Sequence, residues 1–171
     1  MPPRILIVDD HEIVREGIRT LIFRSRPGWN ICGEAGDGEQ AIQAVFTLKP
    51  DIVVLDITMP KISGLAAAYE IAKLGLGARV LMFTMHESPR LANDVRQAGA
   101  QGFVFKSQAA RDLIPAIDQL LAGGTFFGSE DPSSSEAKPA SGNPPISGSQ
   151  SNRSVTPMLP SVTGMIPVFG P

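Results

Sequence analysis

The sequence predicts an α/β protein built on a doubly wound parallel sheet. Short apolar runs, typical of strands, alternate with longer segments whose apolar residues recur at helical spacing, five times within residues 4–124. Three of these runs are apolar almost throughout, as expected for strands that helices cover on both faces. We therefore expect one domain at 4–124, and the chain's 43% of hydrophobic residues can form its core.

Five strands are expected, most of them rich in β-branched and aromatic residues. In chain order they are RILIV at 4–8, NICGEA at 30–35, DIVVLD at 51–56, RVLMFT at 79–84 and GFVF at 102–105. The second run is the weakest. The first, third and fourth are the most continuously apolar, which predicts burial on both faces of the sheet.

A helix follows each strand, and four of the five show apolar residues three or four positions apart. The expected buried faces are Val14, Ile18, Leu21 and Ile22 in the first helix, Ile42, Val45 and Phe46 in the second, Leu91, Val95 and Ala98 in the fourth, and Leu113, Ile114, Ile117 and Leu121 in the fifth. Asp37, with Gln40 three residues later, predicts a capping box at the second helix. Ser63 begins the third, and Ser88-Pro89 begins the fourth as cap and first residue.

The composition changes sharply near residue 129. Ser, Pro and Gly make up 22 of the 43 residues at 129–171. A segment of this kind buries too little apolar surface to offset the entropy lost on ordering. We expect 129–171 to be a disordered tail.

Charge and cysteine content narrow the function classes. The net charge of −2 argues against a nucleic-acid partner. The single cysteine, Cys32, excludes an internal disulfide and fits a reducing, cytoplasmic compartment. No apolar run approaches the ~18 residues of a membrane span, so no membrane association is expected.

Polar residues follow four of the predicted strands. Asp9 and Asp10 follow the first strand, Asp56 ends the third, Thr84 ends the fourth and Lys106 follows the fifth. Because the carboxyl ends of parallel strands share one edge, and ligands bind beyond that edge, these side chains should converge.

Three carboxylates that converge need positive charge nearby, because a like-charge pair at 4 Å costs roughly 4 kcal/mol at an effective dielectric of 20. Lys106 supplies one charge, and Mg²⁺ suits carboxylates together with a phosphate oxygen. This combination favours phosphoryl transfer, with Asp56 as the attacking carboxylate. Each residue alone has a simpler explanation, since an Asp at a strand end is often a helix N-cap.

With these residues in this order, the sequence resembles a bacterial two-component response-regulator receiver domain of the NarL/FixJ branch. The matching segments are ILIVDDHEIVREGIRTLI, DIVVLDITMPKISGL, VLMFTMHES and GAQGFVFKS. The resemblance covers about residues 4–124. It implies a flavodoxin-like (CheY-like) fold with five parallel strands in the order 2-1-3-4-5.

The resemblance also implies a role for each site residue. Asp56 matches the phosphoacceptor, Thr84 the hydroxyl that bonds the phosphoryl group, and Lys106 the lysine that pairs with it. Asp9 and Asp10 match the Mg²⁺-binding acids, and Asp56 and the backbone carbonyl of Thr58 are expected to complete the metal site. Phe103 matches a switch aromatic, although a simple core aromatic is an equal alternative.

The expected function is therefore phosphorelay signal transduction. A sensor histidine kinase or a phosphotransfer protein would phosphorylate Asp56, and the face formed by helix 4, strand 5 and helix 5 would switch to contact an unknown output protein or a second copy of the chain. The chemistry would act on its own aspartate only, so the protein is not expected to be an enzyme. Two alternatives are a transcriptional regulator that contacts DNA and a phosphatase-type enzyme with an aspartyl-phosphate intermediate.

Three features depart from the family pattern. Nothing in the tail resembles a helix-turn-helix domain, and its only basic residues are Lys138 and Arg153, so direct DNA binding is not expected. Pro115 lies inside the predicted fifth helix and predicts a kink or a displaced helix start. Met85, directly after Thr84, is expected to slow solvent access to Asp56 slightly.

Overall fold

The computed structural model describes residues 1–127, so the predicted tail lies outside the described residues. The strands are β1 (Arg4–Val8), β2 (Asn30–Ala35), β3 (Ile52–Asp56), β4 (Arg79–Thr84), β5 (Gly102–Phe105) and β6 (Phe126–Phe127). The helices are α1 (Glu12–Ser25), α2 (Gly38–Leu48), α3 (Gly64–Lys73), α4 (Leu91–Gln97) and α5 (Ala109–Leu121), and a 3₁₀ turn at Lys106–Gln108 leads into α5. Among the described residues, no helix is both long and apolar enough to span a membrane.

The strands form one parallel sheet in the order β2-β1-β3-β4-β5-β6. The expected order 2-1-3-4-5 is confirmed, and β1 and β3 are adjacent near its centre. The expected count of five is incomplete, because β6 adds a sixth strand beside β5. A two-residue strand shows no alternation that sequence patterns can detect.

Two apolar cores cover the two faces of the sheet. Successive residues of β1, β3 and β4 point alternately into one core and the other, which is why these strands are apolar throughout. One core packs the sheet against α2, α3 and α4, and the other packs it against α1 and α5. Both cores hold the central strands in place, and with them the side chains at their ends.

Three details of the helices differ from the expectations. Phe46 is 64% exposed, so its predicted burial is wrong, and Ala41 is buried on α2 instead. Helix α4 begins at Leu91 rather than at Ser88-Pro89, because a turn closed by the Ser88 carbonyl precedes it. Of the kink or displaced start predicted for α5, the displaced start is wrong, because the helix runs from Ala109 through Pro115, which lies on its exposed face; the kink stays a prediction.

Candidate functional site

Parallel pairing brings the predicted site residues to one edge of the sheet. Asp56 ends β3 beside Phe83 of β4, and Thr84 pairs with Phe105 of β5. Asp9 and Lys106 directly follow β1 and β5. The four strand ends therefore share one edge, and contacts at that edge join Asp9, Asp56 and Lys106, as the sequence predicted.

Lys106 is the centre of this cluster. Its Nζ donates to Asp9 Oδ2 at 2.6 Å and lies 3.1 Å from Asp56 Oδ2. Asp9 is 0% exposed and Asp56 3%, and the lysine side chain is 11% exposed. Two buried carboxylates thus share one buried cation, which leaves a net negative charge where solvent screens poorly.

The pKa of Asp56 is raised above the ordinary value of an aspartate. Burial is the main cause, because it disfavours the charged form, and the nearby Asp9 carboxylate raises the pKa further. Lys106 and a hydrogen bond from the Thr58 backbone N–H oppose this shift. Asp56 is therefore poorly solvated when ionised, and Lys106 is its main stabilising charge.

The loop after Asp56 excludes the simpler explanation of this residue as a helix cap. Helix α3 is capped by Ser63, whose Oγ accepts from the Ala66 N–H at 3.3 Å. At Gly64 the backbone passes so close that a Cβ would lie 1.8 Å from the Asp56 carbonyl oxygen. Glycine is thus required at position 64, and this close approach fixes the backbone of Asp56.

Asp9, Asp10 and His11 place one ligand atom each within 4.8 Å of one another. His11 Nδ1 lies 2.9 Å from Asp10 Oδ1 and 3.3 Å from Asp9 Oδ1. Carboxylate oxygens are the ligands that Mg²⁺ prefers, and the charge of the cluster is negative, so these residues fit a divalent cation. His11 was not among the predicted site residues, and its position directly after Asp9-Asp10 was the available signal. Asp56 lies outside this group of three, and Lys106 contacts both Asp56 and Asp9.

Thr84 is 0% exposed at the end of β4. Its Oγ1 accepts from the His86 N–H at 3.0 Å, so the hydroxyl proton is left to donate to another group. Met85 beside it is 70% exposed, and its effect on access to Asp56 stays a prediction.

Phe103 is 6% exposed and belongs to the core that packs on α2, α3 and α4. Its ring contacts Phe105 edge-to-face at 5.3 Å between centroids, and Phe127 at 6.1 Å. It is therefore a core aromatic in this structure, and its role as a switch stays a prediction.

Comparison with known proteins agrees with this geometry. Residues 5–118 match the response regulator receiver domain family. The chain is 36% identical over 126 residues to the response regulator UvrY of Escherichia coli, covering 74% of this chain and 57% of UvrY. It is 33% identical over 122 residues to the nitrate/nitrite response regulator protein NarL of the same species, covering 71% of this chain and 56% of NarL.

A solved structure is similar over the same region. A two-component response regulator of the LuxR family from Aurantimonas superposes with a TM-score of 0.71 at 41% identity, covering 76% of this chain and 92% of that structure. The chain spans a little over half the length of the two curated relatives. From the family match and the shared fold, the chain belongs to the response regulator receiver domain family, whose function is phosphorelay signal transduction.

Proposed function

We propose that Asp56 is the phosphoacceptor and that a sensor histidine kinase or a phosphotransfer protein is the donor. The observation that carries this proposal is the lysine shared by two buried carboxylates. Asp56 is the carboxylate at the end of a central strand, in a loop held by Gly64, with Lys106 beside its oxygen. This geometry supplies a positioned carboxylate nucleophile and a cation for the incoming phosphoryl oxygens.

In the proposed reaction a carboxylate oxygen of Asp56 attacks the phosphorus of a phosphohistidine. The new P–O bond replaces the P–N bond, and the histidine nitrogen leaves with a proton. Asp9, Asp10, Asp56 and the Thr58 carbonyl would hold Mg²⁺, which when bound neutralises charge on the phosphoryl oxygens. Lys106 pairs with one phosphoryl oxygen, and Thr84 donates its hydroxyl proton to another.

The chemistry is limited to the protein's own aspartate, so no separate substrate is turned over. Hydrolysis of the acyl phosphate restores the carboxylate. The added charge and acceptor oxygens bias the face formed by α4, β5 and α5 between two states, and this face contacts an output protein or a second copy of the chain. We also propose a cytoplasmic location, because a single cysteine fits a reducing compartment.

Intact-mass measurement after incubation with Mg²⁺ and acetyl phosphate tests this proposal. The wild-type chain is expected to gain one phosphate, and Asp56→Asn is expected to gain none. Asp37→Asn is the matched control, because Asp37 is also a buried aspartate with a lysine partner. An adduct that survives Asp56→Asn, or none on the wild type, would sink the assignment.

A further inference from the structure

Strand β6 lies on the face that receivers are expected to use for output. Phe126 pairs with Gly102 of β5 and Phe127 with Phe103, and the Phe126 N–H donates to the Gln101 carbonyl at 3.0 Å. The Arg96 guanidinium of α4 stacks over the Phe127 ring at 4.0 Å. On the α5 side, Gln119 Nε2 donates to the Thr125 carbonyl at 2.7 Å. Thus β6 occupies the edge of β5 between α4 and α5.

The seat of β6, meaning the edge of β5 at Gly102 together with the turn before β6, depends on two particular residues, Gly102 and Arg79. At Gly102 a Cβ would lie 2.1 Å from the Phe126 carbonyl oxygen, so only glycine allows the two strands this close. Arg79 Nη2 donates to the Gly123 and Gly124 carbonyls at 3.1 and 2.8 Å, which fixes the turn before β6. A backbone pairing, a required glycine and a clamped turn together form a specific binding surface.

A row of neighbouring residues runs from this seat to the edge of the sheet that carries Asp56. Thr84 pairs in register with Phe105, whose ring contacts Phe103, and the Phe103 ring contacts Phe127. Thr84 and Phe103 are both buried, whereas Phe105 and Phe127 are half-buried. Because Thr84 is 0% exposed, neighbouring side chains rather than solvent must adjust when its hydroxyl moves.

We infer that the edge of β5 between α4 and α5 is a binding surface for an extended aromatic segment. In the unphosphorylated protein Phe126–Phe127 of the same chain occupies this surface, and phosphorylation releases Phe126–Phe127 from it. The inference rests on the proposed role of Asp56. When the Thr84 hydroxyl moves to the phosphoryl oxygens, the space it leaves is filled by the neighbouring rings, because voids in a packed interior forfeit contacts. This draws Phe103 away from Phe127 and removes the ring contact between β5 and β6, which makes a strand of only two residues easier to release.

Amide hydrogen exchange on the full chain measures this release directly. The probe is BeF₃⁻ with Mg²⁺, which mimics the phosphoryl group. Exchange at the Phe126 amide is expected to become at least about fivefold faster when BeF₃⁻ binds, in the range of ordinary coupling between sites. Exchange in β1 and β3 should not accelerate.

Linkage gives a second, independent readout. If bound BeF₃⁻ weakens docking of β6, then weakened docking must tighten BeF₃⁻ binding by the same factor. Phe127→Ala, which removes the ring, and Gly102→Ala, which places a Cβ in the seat, are each expected to lower the calorimetric Kd for BeF₃⁻ about threefold or more. Phe46→Ala is the control, because this exposed ring lies on α2, away from the row.

Unchanged or slower exchange at Phe126 would overturn the inference. So would an unchanged or higher Kd in both variants, provided that the wild type binds BeF₃⁻. Failure of BeF₃⁻ to bind the wild type would overturn the proposed function, and this inference with it.

Discussion

Two buried aspartates in this molecule have similar surroundings and opposite pKa shifts. Asp37 and Asp56 are 5% and 3% exposed, and each lies beside a lysine, at 2.9 Å from Lys61 and 3.1 Å from Lys106. The pKa of Asp37 is lowered, first by the Gln40 backbone N–H and then by Lys61. The pKa of Asp56 is raised, because burial outweighs its lysine.

The pKa values differ first because burial dominates at Asp56 and the Gln40 backbone N–H dominates at Asp37. The two sites also differ in how many acids each lysine serves. Lys61 is 60% exposed and serves Asp37, whose other oxygen caps α2 by accepting from the Gln40 N–H at 2.9 Å. Lys106 is nearly buried and is divided between Asp56 and Asp9. An acid with its own partners is structural, whereas an acid that shares a cation in a buried site is available to react.

The largest effect is expected from removing the shared cation. Lys106→Met leaves two buried carboxylates without their shared cation, so the free energy of unfolding should fall by about 3 kcal/mol, and the phosphate adduct should be lost. Lys61→Met is the control and should change stability little, because its ammonium group is in water. Urea denaturation of both variants at neutral pH measures the difference.

Restoring the balance of charge sharpens this test. In Lys106→Met, the additional change Asp9→Asn should recover part of the lost stability, because one of the two unpaired charges disappears. No recovery would mean that the loss comes from packing of the lysine chain rather than from charge.

The next effect concerns the glycines beside the two aspartates. Gly64→Ala places a Cβ 1.8 Å from the Asp56 carbonyl oxygen, whereas Gly38→Ala meets the Ile62 carbonyl oxygen at 2.8 Å. We expect Gly64→Ala to destabilise by roughly 2 kcal/mol and to slow phosphorylation, because it displaces the backbone of Asp56. Gly38→Ala should cost less and leave the phosphorylation rate unchanged. Equal phosphorylation rates in the two variants would contradict the role given to Gly64.

The smallest effect is the pH dependence of the two charges, which should differ in sign. A raised folded-state pKa means that ionised Asp56 costs stability above that pKa, and the cost is absent below the ordinary value of about 3.9. Asp56→Asn should therefore raise the free energy of unfolding at neutral pH by about 1 kcal/mol and Tm by roughly 4 °C, with the gain shrinking as pH approaches 4.

Asp37 should behave in the opposite way. Its lowered pKa means that the ionised form adds stability above the ordinary value, which is lost as pH falls through the lowered pKa. Asp37→Asn should lower Tm slightly at neutral pH, with the loss shrinking in acid. Thermal melts of both variants from pH 7 down to about pH 2 measure the two slopes, with the Asp37 change expected below about pH 4. Slopes of the same sign would refute the comparison.

Strand patterns predicted the convergence of Asp9, Asp56 and Lys106 because of how parallel sheets are built. Asp56, Thr84 and Lys106 were identified from their places at strand ends, and strands that lie parallel bring those ends to one edge. Phe46 was misplaced because helical spacing gives the width of an apolar face but not which of its residues reaches the sheet. His11 was missed because one imidazole next to two acids has no periodic signal.

By itself the sequence determined the β/α alternation, the central strands and the edge at which the acids, Thr84 and Lys106 meet. These follow from local periodicity and from chain direction, which each segment carries within itself. Tertiary structure decided that one Lys106 serves both Asp9 and Asp56, that Gly64 presses on the Asp56 carbonyl, and that Phe126–Phe127 takes the edge of β5. Those contacts join residues far apart in the chain, and their distances depend on how deeply each element packs, which no local pattern encodes.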